Sequence, residues 1–400
     1  MESTTEQAAG MALGIEEASR ILSLYERMQR VKDRRERRGR RYEAATVLTL
    51  LALAKLAGEK TISGLAHWVR LRGAWLRELL PLSDHRLPCA NTYQYICDHV
   101  DMAAFVSEME AFKAQVTAAK ATAVETQSAP DVAQLVVDGK VLRGSDRQAT
   151  TREARILVSA YHVQERRVWK QVEAQGRGGE AKAAMALIGS LNPAGLVVSA
   201  DALHTRPAWC RRLREAGGHY LLIAKQNRPD LREDIALLFR DGPFPDLPED
   251  QAVTVDKAHG RLEQRRIRIS AALTDYLIPG WPDVAQVFEI ERLITARGRT
   301  RREYAYGLTS LPPVQASASQ VLCLVRQHWH IENCQHWRRD VTLGEDACQV
   351  SRGQTPILLA LLNDLLLFLI DHTGATNAAA KIREFAAHPE LALKLLFHPL

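Results

Sequence analysis

Apolar residues recur at helical spacing from about residue 15 to residue 125, and almost nothing in that stretch alternates as a strand would. YEAATVLTLLALAKLAG at 42–58 reads as a mostly apolar helix ended by Gly58. TISGLAHWVRLRGAWLRELL at 61–80 continues the pattern behind Thr61, a residue type that caps helix N-termini. NTYQYICDHVDMAAFVSEMEAFKAQV adds one or two further helices. The expected unit is an all-α N-terminal domain over 1–125. ATAVETQSAP at 121–130, small, polar and ending in proline, reads as the linker that closes it.

Beyond Pro130 strands alternate with helices. AQLVVDGKVLRG and REARILVSAYHVQERRVWKQVEAQ precede the helix GEAKAAMALIGSL. GLVVSADALHT, the helix PAWCRRLREAG and HYLLIAKQN come next. This order predicts an α/β domain over 131–375, a central sheet with helices packed on it. Two β-rich segments, AVTVDKAHGRLEQRRIRIS and VAQVFEIERLITARGRTRREYAYGLT, read as an inserted hairpin layer at about 245–312. After SLPPVQAS the chain returns to helix through 317–339 and again through 355–370, and 376–400 reads as a helical tail.

Composition narrows the class. Four hundred residues, 46% hydrophobic and 25% charged, suit a globular protein of two or three domains rather than a disordered or fibrous one. The net charge of +6 is concentrated in MQRVKDRRERRGRRY at 28–42, which sets seven arginines and one lysine against two acids. Such a run attracts a phosphate backbone, with Arg34, Arg35, Arg37, Arg38, Arg40 and Arg41 as the candidate contacts; the competing explanation is a solvated helix face. The six cysteines (89, 97, 210, 323, 334 and 348) form no CxxC pair and read as free thiols of a reducing compartment. TVLTLLALAKLAG (46–58) and PILLALLNDLLLFLI (356–370) are interrupted by Lys or Asn-Asp and fall short of a bilayer span. MESTTEQAAGMALG lacks the basic-then-apolar order of a signal peptide, so a cytoplasmic protein without membrane association is expected.

The chemistry gathers at strand ends and on one helix. LVVDGK places Asp138, and LVVSAD places Asp201, at the carboxyl ends of apolar strands, where α/β sheets bind ligands. Each could also be a turn or cap residue. HWHIENCQHWRRDVTLGED at 328–346 is crowded with polar groups, and a continuous helix there would align His328, Glu332 and His336, with Arg339 close by. Trp329 and Trp337 would share another face and anchor it on the sheet. His328, His330, Cys334 and His336 are all legal zinc ligands, but a continuous helix spreads them over different sides. Carboxylates from Asp138, Asp201 and Glu332 instead suit Mg²⁺ or Mn²⁺, two ions able to support in-line phosphoryl displacement on DNA.

These motifs resemble the ISAs-type, or H-repeat-associated, insertion-sequence transposases of the DDE class. RRGRRYEAATVLTLLALAKLAG with ISGLAHWV is similar to the family's N-terminal associated region. VVDGKVLRGS is similar to its first-Asp motif, SADALHTR with HYLLIAKQNRPDL to its second, HGRLEQR to its insertion signature and HWHIENCQHWRRDVTLGEDAC to its Glu motif. The resemblance implies an RNase H-like catalytic domain with Asp138, Asp201 and Glu332 as the DDE triad. The partners it implies are DNA, as element terminal inverted repeats and target, and further copies of the chain on that DNA, near the prokaryotic nucleoid. Lys140, Arg143, Lys225, His259, Arg261, His328, Asn333 and Arg339 become candidate DNA contacts. A non-catalytic DNA-binding relative is the alternative.

The match has departures. Where related transposases carry a Tyr-Arg-Glu-Lys signature, this chain has Val325, His328 and Arg339 around Glu332, and the Lys-x-Asn segment reads Lys225-Gln226-Asn227-Arg228. Asp340, Glu345 and Asp346 are expected beyond the helix, broken at Gly344, as partners of a metal ligand or of Arg338.

Overall fold

The computed structural model describes residues 22–38, 40–80, 82, 86–123, 132–146, 155–176, 178–240, 249–258 and 260–398. His259 and most of the expected linker, from 124 to 130, lie outside the described residues. The chain forms two compact units, one built from 1–127, 143–150 and 338–400, the other from 128–142 and 151–337.

The first unit is helical, as its periodicity predicts: α1 (Leu24–Gln29), α2 (Ala44–Leu56), α3 (Ile62–Leu71), α4 (Gly73–Leu79), α5 (Ala90–His99) and α6 (Met102–Ala123). Every residue of α2 is buried, the expected fate of a helix apolar on all sides. Gly58 comes just after it with φ +92°, a left-handed conformation that glycine adopts without strain. Thr61 caps α3 by accepting from the Gly64 N–H at 3.0 Å. The helix expected over 61–80 is interrupted near Arg72 and becomes α3 and α4, while α6 runs three residues into the expected linker.

Helices Thr355–His372, Ala378–Ala387 and Pro389–Phe397 complete this unit. The contact boundary therefore falls after Trp337, whereas the sequence pattern extends the α/β region to 375. Thr355–His372 has the length and composition of a membrane span but is 89% buried, with Leu358, Leu362 and Phe368 in the same core as Leu48, Tyr93 and Phe112. Its start is tied to α5, since Thr355 donates to Asp98 through both N–H (3.0 Å) and Oγ1 (2.6 Å). Its middle carries Asp364, paired with Lys113 at 2.7 Å with both side chains buried.

The second unit is a mixed α/β body around one nine-stranded sheet, ordered β3-β2-β1-β4-β5-β9-β8-β7-β6. The strands are β1 (Gln134–Leu142), β2 (Arg155–His162), β3 (Arg167–Ala174), β4 (Val197–Ala200), β5 (His219–Ala224), β6 (Asp250–Ala258), β7 (Arg261–Ser270), β8 (Gln286–Ala296) and β9 (Arg299–Thr309). β1 pairs antiparallel with β2 and parallel with β4, and β4 pairs parallel with β5. The β-rich insertion is not a separate layer. β9 pairs antiparallel with β5, so β6 to β9 continue the central sheet; their backbone N–H and C=O groups are satisfied at the edge that β5 would otherwise leave open.

Side chains alternate across the sheet. Leu135, Val137, Tyr220 and Leu222 pack under α7 (Gly179–Gly189), α8 (Pro207–Glu215) and α9 (Pro229–Phe239). Val197, Leu221, Ile267 and Ile290 face the other way, under Val321 and Leu322 of α11 (Ala318–His328), which comes after the single turn α10 (Thr274–Leu277).

In the first unit Arg339 is 1% exposed and grips Glu345 through Nε and Nη2, both at 2.8 Å, while Asn363 donates to the same carboxylate at 2.8 Å. Truncating the cation strands a buried anion, so Arg339→Met is expected to lower the unfolding free energy by about 3–5 kcal/mol in a urea titration. The double variant Arg339→Met/Glu345→Leu should regain part of it, and a single-variant loss under about 1 kcal/mol would refute a structural role.

Candidate metal and phosphate site

Strand register brings the two aspartates together. Val137 of β1 lies opposite Ala200 of β4, so the next residues, Asp138 and Asp201, stand side by side, although Asp138 is not at the strand end that the sequence pattern suggests. Adjacent strands lie about 4.8 Å apart. Asp138 stays within β1, paired across to Ser159, whereas Asp201 stands just past the end of β4 and opens a short turn over Ala202–His204. That turn is held from the Lys-x-Asn segment after β5. Lys225 Nζ donates to Asp201 Oδ1 at 3.0 Å, Asn227 Nδ2 to the Ala202 carbonyl at 2.5 Å, and Arg228 Nε to the Thr205 carbonyl at 2.9 Å.

Glu332 arrives by a different backbone from the one the sequence pattern predicts. The helix expected through 317–339 ends at His328, and Glu332–His336 forms a wider π turn in which the Trp337 N–H donates to the Glu332 carbonyl, five residues back. Such turns add a residue to the helical repeat and rotate the side chains beyond them to a new face. Glu332 and His336 still meet, but His328 leaves their stripe. His328 Nδ1 instead meets Ser199 Oγ at 3.1 Å. Trp329 and Trp337 do not anchor the segment, being 61% and 54% exposed. The anchor is Ile331, buried with Val136, Tyr161, Val163 and Val168 on the sheet face that also carries Asp138.

That anchoring sets His336 Nδ1 3.3 Å from Glu332 Oε2 and 3.4 Å from Asp138 Oδ2. One ligand atom from each of Asp138, Glu332 and His336 lies within 4.8 Å of the others. His336 thus stands where Asp201 was expected: among the described residues Asp201 is not in this group, nor are Glu180, His328, His330 and Cys334, so the zinc knuckle does not form.

The electrostatics separate the acids. Burial pushes the Asp138 carboxyl above its ordinary range; Asp201 and Glu332 add to this, while His336 and the Gly139 N–H oppose it. Burial acts the same way on Asp201, but its Lys225 and Ala202 hydrogen bonds outweigh that and hold it below the ordinary range. Asp201 is thus a fixed anion, and Asp138 is an acid short of positive charge. Two crowded carboxylates with an imidazole fit a hard divalent cation, whose charge would relieve the repulsion.

The expected DNA contacts divide. In the second unit Lys225 is 60% exposed at its Asp201 contact, Arg261 is exposed beside Glu263 at 3.8 Å, and Asn333 is exposed. Lys140 is buried inside β1, which removes it from the solvent-facing set. In the first unit Arg37, Arg38 and Arg41 are exposed, and Arg143 is exposed near Asp346 at 3.7 Å. Arg35 is not available: it is buried, bonding Asp33 at 2.7 Å and the Tyr42 carbonyl at 2.6 Å. Arg34 pairs with Asp101 at 2.9 Å, and Arg40 donates to the Arg35 carbonyl at 2.9 Å. Arg339 is committed to Glu345, and Arg338 pairs with Asp371 at 2.7 Å.

Sequence reasoning missed Glu180. It lies in the first turn of α7, its carboxylate against the backbone of Gly139, and burial together with repulsion from Asp138 and Asp201 raises its pKa. An acid opening a helix is so common that nothing in the pattern singles it out.

With this geometry in place, two family models match. One, described as "Transposase DDE domain", covers 130–355; the other, described as "DDE_Tnp_1-associated", covers 25–112. The chain belongs to the DDE transposase family. It is 29% identical over 260 residues to an uncharacterised protein in the dhlA 3' region of Xanthobacter autotrophicus, covering 64% of this chain and 83% of that one. It is 27% identical over 267 residues, 64% of this chain and 69% of the other, to YhhI of Escherichia coli (strain K12), an H repeat-associated protein named as a transposase. The cryo-EM structure of the piggyBac transposase synaptic complex with hairpin DNA overlaps 88% of this chain and 72% of its own at 7% identity and a TM-score of 0.43, too distant to bear on the fold.

Burial holds the imidazoles of His204 and His328 down to about 4. A histidine depressed in the folded state stabilises above its ordinary pKa of 6.5, and that stability is lost as pH falls from 6.5 towards 4. A shift of that size corresponds to about 3 kcal/mol for each. Unfolding free energy measured against pH should fall through this window in the native chain and less steeply in His328→Gln; parallel curves would refute the assignment.

Proposed function

We propose that this protein is an insertion-sequence transposase that binds the terminal inverted repeats of its element, cleaves there and joins the freed 3′ end to target DNA. The observation that carries the reading is the placement of Asp138 and Asp201 on adjoining parallel strands with Glu332 brought beside Asp138. In this reading the 131–375 region is an RNase H-like catalytic domain with the 245–312 insertion, and the helical 1–125 region contacts DNA. Asp138, Asp201 and Glu332 would hold Mg²⁺ or Mn²⁺, two ions in all. When bound, these would offset charge on the scissile phosphate and on the attacking oxygen.

The chain's own groups do the rest. Lys225 fixes the Asp201 carboxylate and its loop before substrate arrives, so little reorganisation is left for the reaction. His328, neutral near pH 7, can donate or accept a single hydrogen bond but brings no charge to a phosphate. Arg37, Arg38 and Arg41 supply backbone attraction that is independent of sequence. Copies of the chain assembling on paired ends complete the proposal.

With Mg²⁺ and an oligonucleotide carrying the terminal repeat, Asp138→Asn, Asp201→Asn and Glu332→Gln should each cut cleavage by about two to three orders of magnitude while DNA binding persists. Retained cleavage in any of them would refute its place in the triad. Replacing Arg37, Arg38 and Arg41 by alanine should shrink the slope of log affinity against log salt by roughly 0.9 per lost phosphate contact. An unchanged slope means that the run is a solvated face.

A further inference from the structure

Three observations single out Glu180. The first is close approach: a Cβ built on Gly139 would lie 2.5 Å from Glu180 Oε1 and 2.7 Å from its Cδ. Only glycine directly after Asp138 lets that carboxylate rest on the strand. An acid in a first helical turn ordinarily faces solvent, where it favours the helix dipole. This one turns inward instead, and its side chain is only 25% exposed.

The second observation is His204, three residues after Asp201. It is 2% exposed and tilted against Trp209 with ring centroids 5.1 Å apart, and its Nε2 is buried without a hydrogen-bond partner among the described residues. Its nearest acid is Glu180 Oε1, at 3.9 Å, just beyond hydrogen-bond reach. A buried polar nitrogen is costly to leave unmet, so a site that draws Glu180 slightly towards it gains a bond already aimed.

The third is charge balance. Asp201 and Glu332 act on Asp138, Asp138 and Asp201 act on Glu180, and Lys225 is committed to Asp201. Four carboxylates and one ammonium leave a deficit of three positive charges. One divalent ion falls short of that deficit and two exceed it by one, which the phosphate of a substrate would take up. β4 ends at Ala200, so no strand lies beside Gly139 on that side, and α7 can deliver Glu180 to the strand end from the face opposite Ile331.

We propose that Glu180 is a fourth carboxylate ligand of the metal centre, seated over Gly139, serving the second divalent cation, and that His204 is its positioning residue. This rests on the metal-dependent reading of the function. The experiment is a Mn²⁺ titration of the full chain, monitored by electron paramagnetic resonance without DNA and paired with melting of the metal-free protein. The native chain should take up about two ions. Glu180→Gln should weaken the second by about tenfold or more and leave the metal-free melting temperature unchanged or higher, because one member of a like-charged group is gone. His204→Asn should weaken the same ion by a smaller factor and keep the count.

Native-like Mn²⁺ uptake in Glu180→Gln, or a lower metal-free melting temperature with affinity intact, would make Glu180 a structural support and overturn the proposal. If Glu180→Gln does not fold, Glu180→Asp decides: intermediate affinity supports the ligand role, and native affinity overturns it. Asp138→Asn separates the two readings. If it loses Mn²⁺ while Glu180→Gln does not, only this inference fails; if the native chain takes up none, the metal-dependent reading fails with it.

Discussion

The parallel pairing of β1 with β4 is the constraint on which the site depends. Placing Val137 opposite Ala200 fixes where both of the next residues, the aspartates, stand, and a one-residue slip would turn one strand over and send its acid into the apolar layer under α7 to α9. The flanking residues enforce the register, since Leu135 and Val137 must face one layer while Val136 faces Ile331 and Tyr161 on the other. The placement of the two aspartates is thus a by-product of packing the sheet on both faces.

Around that fixed pair the chain distributes charge unevenly. Lys225 keeps Asp201 ionised, and burial leaves Asp138 with a raised pKa beside Glu332 and Glu180. Carboxylates crowded in this way repel one another, and a divalent cation, in the function proposed, would relieve that repulsion. The π turn contributes a second kind of preparation. It sets Glu332 and His336 against Asp138 while leaving two tryptophans in solvent, an arrangement that a regular helix of the same residues would not give.

The basic run at 28–42 shows how composition overstates a surface. Arginines that look equivalent in sequence divide into Arg35, consumed by Asp33 and the Tyr42 carbonyl, and Arg37, Arg38 and Arg41, which stay exposed. Arg339 tells the same story from the Glu motif. Placed by spacing near a phosphate, it is buried against Glu345 and Asn363 in the helical unit. Spacing along a chain cannot reveal a partner supplied from elsewhere in the fold, and for a buried arginine the partner decides the role.

The helical and α/β regions and the two aspartates on apolar strands were legible in the sequence because each rests on local signals, periodicity, caps and apolar runs meeting acids, while the family and the glutamate motif were legible through the resemblance of ordered motifs. The long-range pairings were decided only in three dimensions. The insertion joins the central sheet because the edge of β5 needs a hydrogen-bonding partner. The Glu332 helix widens because Ile331, not a tryptophan, finds the apolar slot. Glu180 comes to the strand end because Gly139 leaves it room. Local sequence sets which elements form and what chemistry they carry; which side chains meet depends on contacts distant in sequence, whose energies no window of residues contains.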